Sequence, residues 1–130
     1  MRPAALLLAA VFVAGCTTIY RAKVTAWDTG SLQSSAALVE KCLREMGFAP
    51  SADFPGAARV RDVSVPDTWE KRPIVVTVDF DDGAWAIRFV PPPKDTTSAE
   101  PTAHEFEGCV QRSGSSHSIT LKGATGPDLR

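Results

Sequence analysis

Apolar and polar positions alternate most regularly in two runs, Ile74–Phe80 and Ala84–Val90, with Asp81-Asp82-Gly83 between them. Period-two alternation sends successive side chains to opposite faces of a strand. Taking Asp82-Gly83 as a two-residue hairpin turn pairs Asp81 with Ala84, Phe80 with Trp85, Val78 with Ile87 and Val76 with Phe89. The six large apolar side chains then share one face, and a slip of one residue would scatter them. The pattern predicts a hairpin and its register together.

A different period governs Leu32, Ala36, Val39, Leu43 and Met46, which recur at helical spacing with Cys42 beside the stripe. The helix is expected over roughly residues 31–46, with Ser31 as its N-cap. Glu40/Arg44 and Lys41/Glu45 form opposite-sign pairs on its outer side. Gly47 suits the left-handed position that ends such a helix, folding Phe48 back near Leu43. Ala103, Phe106 and Val110 mark a second helix over residues 98–112, with Cys109 beside its stripe. Pro101 is tolerated in its first turn and Gly108 weakens its middle, so a strand within 106–112 stays open.

Weaker patterns complete the domain. Tyr20, Ala22, Val24 and Ala26 alternate with Arg21, Lys23 and Thr25, giving a first strand with one dry and one basic face. That basic face is either solvated or set against lipid headgroups. Residues 58–65 permit a short strand of open register, and His117, Ile119 and Leu121 mark a final strand over 117–122. Residues 49–57, 66–73, Pro91-Pro92-Pro93 and Ser113–Ser116 read as loops or turns. The expected class is α+β: a small, mostly antiparallel sheet with two helices on one face. The element order is compatible in part with a ferredoxin-like arrangement.

The first sixteen residues follow neither period. Met1-Arg2 gives a positive start, Pro3–Ala14 is small and apolar, and the run closes on Val13-Ala14-Gly15-Cys16. This is the layout of a secretory signal, and it resembles the signal of bacterial lipoproteins. The resemblance implies recognition through Val13, Ala14 and Gly15, a thioether at Cys16, cleavage before it and acylation of the new amino group. Thr17 stands where an Asp would imply retention at the inner membrane, so the periplasmic face of the outer membrane is the implied address. A plain secretory signal and a single anchor are the rivals, although the apolar stretch is about half of the ~20 residues a spanning helix needs. The expected organisation is a signal over 1–15, a lipidated N-terminus and short tether over 16–20, one domain over 21–122 and a loose tail over 123–130.

Composition changes this picture at the cysteines and the charges. With Cys16 set aside, Cys42 and Cys109 remain, and an oxidising compartment favours a disulfide between them over two buried thiols. The chain has 14 Lys plus Arg against 15 Asp plus Glu; without Arg2 the balance is 13 against 15, or −2. This scattered charge excludes a nucleic-acid-binding surface.

Catalytic chemistry is present only in fragments. His104, Glu105 and Glu107 lack the second His of a zinc motif, and His104 and Cys109 do not share a helical face. Ser115, Ser116 and His117 lack a nucleophile-elbow pattern. Asp79, Asp81 and Asp82 lack the later ligands of a calcium loop, and no cofactor motif occurs. Trp69 is the candidate partner-binding residue, with covering the core edge as its other role. The expectation is a noncatalytic, lipid-anchored envelope protein that binds another envelope protein or supports envelope assembly. A small envelope enzyme and a carrier of an apolar ligand between sheet and helices are the alternatives.

Overall fold

The computed structural model describes residues 15–25, 29–113 and 117–127. Most of the signal, including Val13 and Ala14, lies outside the described residues, as do Ala26, positions 114–116 of the predicted turn and the last three residues of the tail.

The predicted hairpin forms β6 (Ile74–Asp81) and β7 (Ala84–Val90), with Phe80 opposite Trp85, Val78 opposite Ile87 and Val76 opposite Phe89. Asp82 and Gly83 turn the chain with φ of 52° and 75°, the backbone region a two-residue turn of this kind requires. Around the hairpin runs a six-stranded sheet in the order β2-β5-β6-β7-β1-β8, antiparallel at every pairing. Its other strands are β1 (Cys16–Thr25), β2 (Ala49–Pro50), β5 (Thr68–Lys71) and β8 (Ile119–Pro127). A separate hairpin, β3 (Ala57–Val60) with β4 (Val63–Pro66), realises the short strand expected near 58–65 as two strands.

Helices α1 (Thr29–Glu45) and α2 (Ala99–Arg112) cover one face of the sheet. Trp69, Trp85, Phe89, Phe106, Leu43 and Ile87 are wholly buried between these layers. The Phe89 and Phe106 rings meet at 5.6 Å. The indole N–H of Trp85 donates to Ser35 Oγ at 2.9 Å, and that hydroxyl donates to the Leu32 carbonyl at 3.0 Å. The indole N–H of Trp85 and the hydroxyl of Ser35 are thus both satisfied within the core.

At the end of α1 the Phe48 amide donates to the Leu43 carbonyl (2.9 Å) and the Gly47 amide to Arg44 (3.0 Å). With Gly47 at φ 93°, these are the paired bonds of a Schellman cap. Lys71 Nζ donates to the Met46 carbonyl at 2.6 Å, placing a cation at the negative end of the helix dipole. Cys42 on α1 and Cys109 on α2 form a disulfide with a Cα–Cα distance of 5.8 Å. The Glu45 carboxylate lies 3.4 Å from Cys109 Sγ; an oxidised sulfur has no proton to donate, so this is a packing contact.

Four boundaries differ from expectation. Helix α1 starts at Thr29, two residues before Ser31. Residues 16–20 are no tether: they are the first half of β1, paired with β8 from Cys16↔Pro127 to Tyr20↔Gly123. Nor are residues 123–127 a loose tail, since they form the other side of that ladder. Gly123, Gly126 and Pro127 are poor strand formers, so pairing to β1 imposes the strand. A Cβ on Gly123 would come within 2.7 Å of the Tyr20 ring, which explains the glycine there. The expected loop 66–73 contains β5, hidden in sequence because only four residues separate its flanking turns.

Candidate functional site

The start of β1 is held from several sides. Thr17 Oγ1 accepts the Lys94 amide at 2.8 Å, the Thr18 amide donates to the Asp95 carbonyl at 3.0 Å, and the Thr18 and Thr125 hydroxyls meet at 2.6 Å. Gly15 is exposed, whereas Cys16 is 7% exposed and Thr17 and Thr18 are buried. Cys16 lies outside the disulfide. The segment following Pro91-Pro92-Pro93 therefore straps the beginning of the strand in place.

Asp95 organises that strap. Its carboxylate accepts the Ser98 hydroxyl at 2.5 Å and the Ser98 and Thr97 amides at 2.9 Å each. These bonds, the Ser98 hydroxyl foremost, hold its pKa below the ordinary carboxylate value. They also fix the entry to α2, whose N-cap Ser98 makes no side-chain capping bond of its own. Tyr20 joins the same helix to β1 by donating to Glu100 Oε2 at 2.5 Å. That bond is the main reason its phenol titrates above its ordinary value.

On the sheet face away from the helices, Arg21, Arg88 and Lys122 border an open cavity of about 410 Å³ that also touches Thr17, Ile19 and Pro127. A second, smaller concavity of about 240 Å³ lies beside Phe54, Pro50, Pro55 and Pro66. Phe54 is 63% exposed, the one large apolar side chain so exposed among the described residues. Its amide donates to Ser51 Oγ at 3.2 Å, and Ser51 is pinned to β5 through the Thr68 carbonyl at 2.8 Å. The loop thus presents Phe54 from a fixed base.

Trp69 is in a different position from a partner-binding residue. It is 0% exposed in β5, its indole N–H donates to the Pro66 carbonyl at 2.6 Å, and the Arg44 guanidinium lies 5.1 Å from its ring centroid. Its polar neighbours Glu70 and Lys71 belong to the same short strand, whose alternation turns the indole inward. Sequence reading missed Phe54; the available signal was an aromatic between Asp53 and Pro55 in a loop, with no periodic partner to bury it.

The catalytic fragments stay apart. His104 Nδ1 lies 3.3 Å from Glu107 on the exposed side of α2, while Cys109 is committed to the disulfide. His117 Nε2 and Ser34 Oγ are 3.1 Å apart. Among the described residues no group of three or more His, Cys, Asp or Glu side chains could hold a metal. Comparison with protein-family models, curated proteins and solved structures finds no match.

Proposed function

We propose that this chain is a lipid-anchored, noncatalytic protein of the bacterial envelope, attached through Cys16 and binding another envelope protein. The observation that carries the reading is a coincidence of two boundaries. The lipoprotein-like signal ends at Gly15, and the first strand begins at Cys16. Removing residues 1–15 would take no described strand or helix from the domain. The partner surface is the Phe54 loop, in place of Trp69. It adjoins β5, three strand spacings or roughly 14 Å from β1 across the sheet. The elements β1, α1, β6, β7, α2 and β8, with strand order β6-β7-β1-β8, make a ferredoxin-like core in which β2–β5 are an insertion carrying that loop.

Two measurements test the reading. Cys16→Ser is expected to abolish lipid labelling and normal processing; unchanged lipidation overturns the anchor. Crosslinking in intact envelopes is expected to join the chain to a protein partner, and Phe54→Asp to remove that adduct while leaving the melting temperature unchanged. A chain with no crosslinked partner, or an adduct indifferent to Phe54, overturns the binding surface.

A further inference from the structure

Arg88, Arg21 and Lys122 form one row across β7, β1 and β8, for Arg21 lies directly opposite Arg88 on one side and Lys122 on the other. All three are exposed. Like charges directly opposite on neighbouring strands destabilise a sheet, so the row is unfavourable without a compensating anion. The ion pairs found among the described residues are Lys41–Glu45 and His104–Glu107, which leave out all three. Lys23 adds a fourth cation two residues along β1. The nearest acid by register on this face is Asp79 of β6, opposite Ala86 and diagonal to Arg88. Ile19 and Pro127 supply apolar surface beside the row.

The row also has a fixed relation to Cys16. Four extended residues separate Cys16 from Arg21, a span of five residue rises or roughly 17 Å of strand, and the bonds to Thr17 and Thr18 leave no slack between them. We propose that this basic sheet face docks on an anionic lipid surface, with Arg21, Arg88 and Lys122 against lipid phosphates. The inference rests on Cys16 as the lipid anchor, since acyl chains there hold β1 at the headgroups. Charge complementarity selects the occupant: a plane of phosphates matches a row of cations on a broad, open face. Each Lys or Arg near an anionic bilayer contributes about a fivefold factor in binding, weakened by salt over a Debye length. In this orientation the helices face away from the membrane.

The test uses the lipidated protein in vesicles of phosphatidylglycerol with phosphatidylcholine, and of phosphatidylcholine alone. Acetylation by a water-soluble reagent is followed at Lys122 and at Lys41, an exposed lysine of α1. Lys122 is expected to react at least about fivefold more slowly on the anionic vesicles, the factor for one cation alone, with Lys41 unchanged. High salt, or Arg21→Gln with Arg88→Gln, should restore its rate. Equal Lys122 rates on the two vesicles overturn the docking face. Equal protection by inorganic phosphate on phosphatidylcholine vesicles also overturns it, in favour of a soluble phosphate site. Intact mass separates the two readings: a lipidated chain with an unprotected Lys122 defeats only the docking face, whereas a chain without the lipid mass defeats the anchor.

Discussion

At the residue scale, Trp69 shows how neighbours in sequence mislead. Asp67, Glu70, Lys71 and Arg72 surround it with charge, yet Asp67 and Arg72 lie outside β5 and the pleat turns Glu70 to the opposite face. Lys71 reaches away to the Met46 carbonyl, leaving the indole buried beside Arg44 of α1. Trp69→Ala should cost about 3–5 kcal/mol of stability, the usual range for removing a buried aromatic, measured by denaturant unfolding. Phe54→Ala should cost far less in the same assay, because its side chain is already mostly in water. Asp95 gives a pH signature whose sign follows from its lowered folded-state pKa. Its stabilising effect is complete above the unfolded carboxylate value of about 3.9 and is lost as pH falls through the lower folded value. Asp95→Ala should therefore flatten the dependence of melting temperature on pH in that acidic window. An unchanged slope would mean that the three bonds to Asp95 do not hold in solution. Tyr20 acts at the other end of the scale. Its raised pKa makes its contribution complete below about pH 10 and lost as pH rises through the folded value.

At the element scale, legibility tracked how local the determining forces are. The β6–β7 register was readable because six apolar side chains and one turn agree. The C-terminus of α1 was readable because Gly47 and Phe48 carry the whole cap within the last turn. The first half of β1 and the end of β8 were not, because each is a strand through its pairing with the other, more than a hundred residues away in sequence. The same distance hid the basic row, whose three members sit on three strands. The Cys42–Cys109 link, anticipated from the cysteine count, joins the two helices through cysteines 67 residues apart in sequence. Replacing both cysteines with serine should lower stability by about 4 kcal/mol in the chain-entropy treatment. Gly47→Ala, forced to a φ of 93°, should cost at least about 1 kcal/mol, and thermal melting of the two variants checks both values.

At the scale of the whole molecule, the expected α+β class is present: among the described residues a six-stranded antiparallel sheet carries two helices on one face, with the β3–β4 hairpin beside it. The helix-covered face supplies the core, while the open face and the loop after the edge strand β2 carry the surfaces proposed for lipid and protein. The apolar-carrier alternative needs space between sheet and helices, where six large side chains are wholly buried. The pairing of β1 with β8 also sets an order of events. Cys16–Ile19 have ladder partners only in β8, and Cys16 faces Pro127 near the far end of the chain. A chain that emerges N-terminus first cannot complete that ladder until β8 has followed. Until then Cys16, 7% exposed in the folded domain, has no ladder partner at all. The eighth strand thus acts as a late latch: the opening residues of β1 are fixed only once a partner more than a hundred residues further along is in place.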